Sequence, residues 1–216
     1  MSRPKQPQPR PAPRLYLVTP PLSDAGDFAS KLASAVAAGD VAAVLLRLAD
    51  ADERQLINTI KALAPVAQDA GAALIVAERA DLVARGGADG GHFADAASFL
   101  DGFESLRPDR IAGAGGLVSR HDAMSVAEAG ADYVMFGEPD GEHRPSFAAV
   151  EERVAWWAEV FESPCVGFAS SADEVTPLVA AGADFIAVDF VWDDTHGAAA
   201  AIAALTPQLR LPENVA

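Results

Sequence analysis

Short apolar segments alternate with longer amphipathic segments along most of this chain. Three of the apolar segments follow the same tripeptide, Gly-Ala-Asp, at 87–89, 130–132 and 182–184. A glycine just past a helix adopts the left-handed conformation that ends it, so each tripeptide predicts a return from helix to strand. The segments that follow are short and apolar, as buried strands are. This regular alternation predicts a parallel α/β protein.

The same pattern continues through the whole body of the chain. Eight strands are predicted, at 15–18, 41–46, 73–76, 90–93, 110–114, 133–136, 165–168 and 185–188. Eight helices are predicted between and after them, at 28–38, 51–69, 80–86, 96–105, 119–129, 146–161, 172–181 and 197–205. Eight such pairs predict a single-domain (β/α)8 TIM barrel over residues 14–206. A doubly wound open sheet is the alternative, but no Gly-x-Gly-x-x-Gly follows the first predicted strand.

The two ends of the chain differ from its body in composition. The first fourteen residues hold four basic residues, five prolines and no acid, which predicts a disordered tail over 1–13. The rest of the chain carries all 31 acidic residues against 12 basic ones, a balance that disfavours nucleic-acid binding. Residues 207–216 are expected to form a second loose end.

The apolar residues suit a folded core rather than a membrane. No uninterrupted apolar run approaches the ~18 residues that a membrane span needs, so no membrane association is expected. The only cysteine, Cys165, lies in a predicted strand, where we expect it to be buried and inert. Without a disulfide framework, a cytoplasmic location is the natural expectation.

In a barrel of this type the chemistry lies at the carboxyl ends of the strands. Arg47 follows the second predicted strand and is the strongest candidate, because an arginine ending an apolar strand is costly to bury without a ligand or partner. Glu78 follows the third strand. His92 ends the fourth strand, where it faces either the barrel mouth or a helix, and Asp95 lies just beyond it.

Further candidates lie in the later loops. Arg144 lies in the longest predicted loop, the one after the sixth strand. Trp192, after the eighth strand, is a candidate to stack on a ring of the ligand. Ser170 follows the seventh strand at a helix start, a position compatible with anion binding. Two nearby patterns, Ser119 to Asp122 and Ser171 to Glu174, have the spacing of capping boxes, which predicts that these serines cap helices.

Several of these segments resemble one enzyme family. Residues 74–82 and 87–93, read as LIVAERADL and GADGGHF, are similar to the "IINDRVDLA…GADGVHLG" stretch of thiamine phosphate synthases. Residues 129–137, AGADYVMFG, are similar to their "AGADYIGFG". The opening strand (15–19) and the closing one (180–188) match as well, so the resemblance covers roughly 14–206 in the same strand order.

The resemblance extends to the sister group of thiazole tautomerases and implies a (β/α)8 barrel. It also implies a reaction in which an aminopyrimidine diphosphate loses pyrophosphate and its carbon is captured by the nitrogen of a thiazole phosphate, with Mg²⁺ steadying the departing group. By analogy, Glu78 and Asp95 would hold Mg²⁺. Arg47 and Arg144 would meet the pyrophosphate, Ser170 would lie near the thiazole phosphate, and the chain would form a homodimer.

The chain departs from the family pattern at most site positions. The family's Gln-x-Arg-x-Lys after the second strand keeps only Arg47, and its Asn-Asp after the third strand reads Ala77-Glu78. The second metal aspartate falls on Ala97 by register. The chain has only three lysines, and none lies at a strand end. We therefore expect synthase activity to be weak or altered.

Two other functions stay open. One is a non-catalytic barrel that binds a phosphorylated or heterocyclic small molecule. The other is a tautomerase-type enzyme acting on a heterocycle, with His92 or Glu78 as its proton-transfer group.

Overall fold

The computed structural model describes residues 11–137, 145–193 and 195–210. Eight parallel strands form a closed barrel in which each strand pairs with its neighbours in chain order and β8 pairs with β1. The strands are β1 (Arg14–Val18), β2 (Val41–Leu46), β3 (Ala73–Ala77), β4 (Gly90–Phe93), β5 (Ile111–Ala114), β6 (Tyr133–Phe136), β7 (Cys165–Ala169) and β8 (Phe185–Val188). The predicted single-domain (β/α)8 barrel is confirmed.

One helix follows each strand and packs on the outside of the barrel. The helices are α1 (Phe28–Val36), α2 (Glu53–Gln68), α3 (Ala80–Gly86), α4 (Ala96–Gly102), α5 (Arg120–Ala129), α6 (Phe147–Val160), α7 (Val175–Ala181) and α8 (Ala198–Leu205). Most bounds lie within two or three residues of the predicted ones. The predicted helices over 96–105 and 172–181 each contain a 3-10 turn, at Phe103–Leu106 and Ala172–Glu174.

The glycine of each Gly-Ala-Asp tripeptide ends a helix as predicted. Gly87, Gly130 and Gly182 follow α3, α5 and α7, and all three have the left-handed conformation. Their φ angles of 78°, 106° and 96° are ones that side chains with a Cβ rarely adopt.

The aspartate of each tripeptide fastens the next strand to the one before it. Asp184 accepts a hydrogen bond from the Cys165 amide at 2.8 Å, and its own amide donates to the Cys165 carbonyl at 3.0 Å. Asp89 binds Leu74 in the same two ways, and Asp132 binds Ala112. We call these three pairs the aspartate clamps. They join β3 to β4, β5 to β6 and β7 to β8.

Two apolar clusters divide the core. The larger lies between the strands and the helices, where Trp157, Phe99 and Leu63 are fully buried. The smaller fills the barrel interior, and its members come from alternate positions of the strands: Tyr16, Val18, Ala43, Leu45, Ile75, Tyr133, Met135, Val166, Phe168 and Ala187. This alternation means that the next inward positions, at the carboxyl ends of β2 and β8, are residues 47 and 189.

The structure differs from prediction at the carboxyl end of the chain. A loose end was expected from residue 207, but Thr206–Leu209 forms a 3-10 turn that packs against α7 and α8, and Leu209 is buried. Residues 1–10 of the expected tail over 1–13 lie outside the described residues, and so do residues 211–216. Cys165 is buried in β7, as expected.

Candidate active site at the barrel mouth

A cavity of about 310 Å³ opens at the carboxyl ends of the first three strands. Its walls come from the segments that follow β1, β2 and β3. The lining residues are Pro21, Arg47, Leu48, Ala49, Asp50, Ala51, Leu56, Ala77, Glu78 and Arg79. We call this space the mouth cavity. It lies at the end of the barrel where the sequence predicted the chemistry.

Arg47 is the half-buried cation of the mouth cavity. Its amide donates to the Thr19 hydroxyl at 3.0 Å, and its carbonyl accepts from the Leu22 amide at 2.9 Å, so the segment after β1 fixes its backbone. Burial lowers the pKa of the Arg47 guanidinium from its ordinary value, while the charges of Asp189 and Glu78 act in the opposite direction. Arg47 therefore interacts electrostatically with two carboxylates.

Asp189 is a site residue that the sequence analysis did not select. It directly follows β8, and its charge acts on Arg47 more strongly than that of Glu78. The signal for it was present, because residues 185, 187 and 189 follow the same alternation as 43, 45 and 47. Both series face the barrel axis and end in opposite charges.

Glu78 lies in a tight turn at the end of β3. The Arg79 amide donates to the Ala77 carbonyl at 2.7 Å, which closes a γ-turn around Glu78 with φ of 60°. Among the described residues Glu78 is the single non-glycine residue with positive φ. Its amide donates to the His92 carbonyl at 2.7 Å, which ties this turn to β4. Such strained positions cluster at functional sites.

Arg79 is the second guanidinium at the mouth cavity, and Asp81 already pairs with it. Its Nε and Nη2 donate to the two carboxylate oxygens of Asp81 at 2.9 and 2.8 Å. These hydrogen bonds raise the pKa of Arg79 and lower the pKa of Asp81. The Asp81 side chain is exposed and that of Arg79 is partly exposed, so the pair adds little to stability.

His92 faces the barrel interior rather than a helix. Its ring is buried, stacks on Tyr133 with centroids 5.7 Å apart, and its Nδ1 lies 2.9 Å from the Tyr133 hydroxyl. Burial lowers the pKa of His92 to about 4, so the ring is neutral at pH 7. His92 does not line the mouth cavity. Its role as a proton-transfer group stays a prediction, and Glu78 is the better placed of the two.

Two tyrosines extend the polar contact of His92 inside the barrel. The Tyr16 and Tyr133 hydroxyls are 2.7 Å apart, and Tyr133 in turn contacts His92. Burial raises the pKa of both tyrosines, so both hydroxyls stay protonated. We call these residues the tyrosine–histidine chain. Sequence reasoning missed it because Tyr16 and Tyr133 are 117 residues apart.

Asp95 has a structural partner. Its carboxylate accepts from the Ser98 amide at 2.7 Å in a capping box at the start of α4. Asp95 does not line the mouth cavity with Glu78. In the part of the chain that the structure describes, no group of three or more His, Cys, Asp or Glu residues could hold a metal ion. Of the two residues expected to hold Mg²⁺, only Glu78 lines the mouth cavity, where it would serve as one carboxylate ligand of a hydrated ion.

The remaining candidates are dispersed. The Ser170 amide and hydroxyl both donate to one Glu174 oxygen, at 2.6 and 2.8 Å. The predicted capping box at Ser171 is therefore wrong, since Glu174 binds the preceding serine and the Ser171 side chain caps nothing. The predicted box at Ser119 is confirmed. Arg144 lies outside the described residues.

Trp192 does not line the mouth cavity. Its indole N–H donates to the Val18 carbonyl at 2.6 Å, and its ring packs on Phe28 with centroids 4.8 Å apart. It lines a separate cavity of about 470 Å³ beside α1 and the start of α8. A stacking role for Trp192 stays a prediction, with the ring held between two elements of the fold.

Comparison with known proteins identifies the family. A model of the family described as thiamine monophosphate synthase matches residues 15–189. The chain belongs to this family. It is 42% identical to the thiamine-phosphate synthase of Rhodospirillum centenum over 202 residues, covering 91% of this chain and 98% of that protein. It is 39% identical to that of Hyphomonas neptunium, covering 91% and 94%.

A solved structure agrees with the thiamine monophosphate synthase fold. The thiamine phosphate pyrophosphorylase from Pyrococcus furiosus superposes with a TM-score of 0.74 over 91% of this chain and 95% of its own, at 20% identity. At that identity the likeness concerns the fold alone. The family resemblance read from the sequence is confirmed. In the described residues, no helix is long and apolar enough to cross a membrane.

Proposed function

We propose that this protein condenses an aminopyrimidine diphosphate with a thiazole phosphate and releases pyrophosphate at the mouth cavity. Membership of the thiamine monophosphate synthase family and relatives named thiamine-phosphate synthase support this reaction. The observation that carries it for this chain is that Arg47 and Glu78 line one cavity at the carboxyl ends of the strands. Enzymes of this fold bind their substrates at that end.

The bond changes define what the protein must supply. The carbon–oxygen bond to the pyrophosphate breaks, the leaving group takes the electron pair, and a carbon–nitrogen bond to the thiazole forms. The Arg47 guanidinium offers several N–H donors in a plane, which suits phosphate oxygens and stabilises the developing negative charge. Mg²⁺, if bound, would be held by Glu78 and would neutralise part of the pyrophosphate charge.

The charges of the mouth cavity predict weak or altered turnover. Asp189 and Glu78 already act on Arg47, and Arg79 is paired with Asp81. Asp50 adds a further carboxyl group to the lining. An incoming diphosphate must compete with these carboxylates for the guanidinium. Repulsion between the diphosphate and the carboxylates also weakens the binding of the diphosphate.

A binding and turnover experiment tests the proposal. Calorimetry with pyrophosphate, with and without Mg²⁺, is combined with an assay for thiamine phosphate. Arg47→Ala should weaken pyrophosphate binding by about 10-fold or more, because hydrogen bonds to charged groups contribute ~1.5–3 kcal/mol. Arg54→Ala is the matched control, since it removes one positive charge from an exposed position of α2. Equal effects of the two variants, or no thiamine phosphate at all, would contradict the synthase proposal.

A second function is favoured by the same charges. The carboxylates around Arg47 suit a neutral heterocycle better than a diphosphate, which supports a non-catalytic binding barrel or a tautomerase-type enzyme. Glu78 would be the proton-transfer group of the latter, because its carboxylate lines the mouth cavity. Binding of a thiazole or pyrimidine without pyrophosphate binding or turnover would support this alternative.

Partners and location are further proposals, argued from the family resemblance, the acidic composition and the single cysteine. We propose a homodimer in the cytoplasm that takes a small-molecule substrate and binds no nucleic acid. Light scattering coupled to size exclusion measures the mass in solution. A monomer mass at all concentrations would contradict the dimer.

A further inference from the structure

A second cavity opens at the opposite end of the barrel, where the strands begin. Its volume is about 280 Å³. The lining residues are Arg14, Tyr16, Ala42, Ala43, Ala73, Ile75, Ile111, Asp132, Tyr133, Pro164, Val166 and Phe185. We call this space the amino-end cavity. None of its lining residues belongs to the mouth cavity, so the proposed synthase reaction does not use it.

Small side chains leave this space open. Ala43 and Ala73 occupy inward positions near the starts of β2 and β3, where larger residues would fill the barrel. Gly113 serves a related purpose on β5, because a Cβ at that position would overlap the ring of Tyr133. The glycine therefore lets the Tyr133 ring lie across β5 and form one wall of the cavity.

The inner wall of the amino-end cavity combines aromatic surface with two hydroxyl groups. Tyr16 and Tyr133 line it, and their hydroxyls belong to the tyrosine–histidine chain. Each hydroxyl can both donate and accept a hydrogen bond. The Nδ1 atom of the neutral His92 ring either donates or accepts, depending on the tautomer. The hydroxyl protons of the tyrosine–histidine chain can therefore point toward His92 or away from it. Tyr16, at its end, offers a ligand either an acceptor or a donor.

The charged residues at the entrance already have partners. Arg14 donates to the Asp40 carboxylate at 2.8 Å and to the Val41 carbonyl at 3.2 Å. Asp132 accepts from Arg107 at 3.0 Å and from the Ala112 amide at 2.8 Å as part of an aspartate clamp. The cavity thus has no unpaired charge among its described lining residues, which disfavours a charged ligand.

We propose that the amino-end cavity binds a neutral, flat aromatic or heteroaromatic molecule of one or two rings that carries a single N–H or O–H group. The volume suits that size, since a cavity of about 150 Å³ holds benzene. The walls of Ile75, Val166 and Phe185 supply apolar contact, and the Tyr16 hydroxyl receives the hydrogen bond of the ligand.

Indole and 1-methylindole are the probes that test the hydrogen bond, because only indole has an N–H group. Binding to the full chain is measured by ligand-observed NMR at millimolar concentration. Indole should bind more tightly than 1-methylindole by about 3- to 10-fold, the range for one net hydrogen bond. In Tyr16→Phe this preference should fall to near unity. An unchanged preference in that variant, or no binding of indole to the native chain, would overturn the proposal.

The position of the ligand is tested by filling the cavity. Ala73→Leu adds volume inside it and should abolish indole binding, while Ala33→Leu adds the same volume at an exposed position of α1 and should leave binding unchanged. Ile111→Phe fills the cavity from another strand if Ala73→Leu does not fold. Pyrophosphate should not displace indole, since it has no site in this cavity. Retained binding in a folded, filled variant, or displacement by pyrophosphate, would contradict the assignment.

Discussion

The backbone of Glu78 has a conformation that residues with a Cβ avoid. Its φ of 60° costs about 1 kcal/mol or more for such a residue, whereas glycine adopts it freely. We therefore expect Glu78→Gly to raise the free energy of unfolding relative to Glu78→Ala by ~1 kcal/mol. This order reverses the usual one, in which alanine is the more stabilising residue. Urea denaturation of both variants at neutral pH measures the difference.

Both variants remove the carboxylate and should lose the function of the mouth cavity to the same extent. Glu78→Gln, which keeps the side-chain length, separates the charge from the backbone effect. If Glu78→Ala proves as stable as Glu78→Gly, the γ-turn stores no strain.

His92 links stability to pH. Its pKa is lowered by burial to about 4 in the folded chain, from an ordinary value of 6.5. Between these pH values the unfolded chain binds the proton and the folded chain does not. The stability from the neutral ring is complete above pH 6.5 and is lost as the pH falls toward 4, by up to about 3 kcal/mol.

Replacement of the histidine isolates this effect. His92→Gln keeps a neutral polar group beside Tyr133 but does not titrate. The free energy of unfolding of the native chain minus that of the variant should fall as the pH is lowered from 7 to 4. Urea unfolding at several pH values measures it. A constant difference would show that His92 does not titrate in this range.

The sequence predicts some of these residues well and others poorly, for a physical reason. Arg47 and Glu78 end apolar strands, so polar residue type and position both indicate the barrel mouth. His92 lies in a strand, Gly90–Phe93, whose four residues are all buried, so alternation of polar and apolar residues does not tell which face it takes. The partners of His92 and Arg47 are far from them in the sequence and come close only when the barrel closes.

At the scale of single elements, the aspartate clamps join strands in pairs. Asp184→Ala removes a carboxylate that accepts from the Cys165 amide at 2.8 Å and so removes that hydrogen bond. We expect a loss of about 2 kcal/mol in the free energy of unfolding, the range for a hydrogen bond to a charged group. Urea or thermal unfolding measures it.

Asp173→Ala is the matched control, because this aspartate is exposed near the start of α7. It should change stability by less than about 0.5 kcal/mol. Asp184→Asn keeps an oxygen acceptor and should fall between the two. Equal stability of the two alanine variants would mean that the clamp contributes nothing.

Element bounds were the most predictable part of the molecule. Glycines 87, 130 and 182 end their helices where the tripeptides predict, and four predicted strands agree at both ends. The capping box at Ser171 failed because two adjacent serines compete for Glu174, and the spacing rule does not distinguish them. Local geometry, rather than sequence spacing, decides that choice.

For the whole molecule, counting elements predicted the closed barrel but not its cavities. Eight strand–helix pairs are enough to close a parallel sheet, and the register of β8 with β1 completes it. The amino-end cavity depends on which inward residues are small at one height of the barrel. That height depends on strand tilt and register, which hydrophobic patterns do not give.

We expect the aspartate clamps to set where the chain tolerates new ends. They join β3 with β4, β5 with β6 and β7 with β8. In the junction before β3, the residues from Gly71 read Gly-Ala-Ala, so an alanine takes the place of the aspartate. Circular permutation tests this, with the original ends joined by the same flexible linker in each permutant. A permutant opened at Gly71 should unfold at higher urea concentration than one opened at Gly87, and the reverse order would contradict it.

Such a difference would divide the barrel into segments that form in pairs of strands. Each aspartate lies close in sequence to the amide that it binds, so each pair closes over a short loop of chain. A nascent chain would then complete β3 with β4 before β5 exists. Ring closure between β8 and β1 would come last, when the final segment leaves the ribosome.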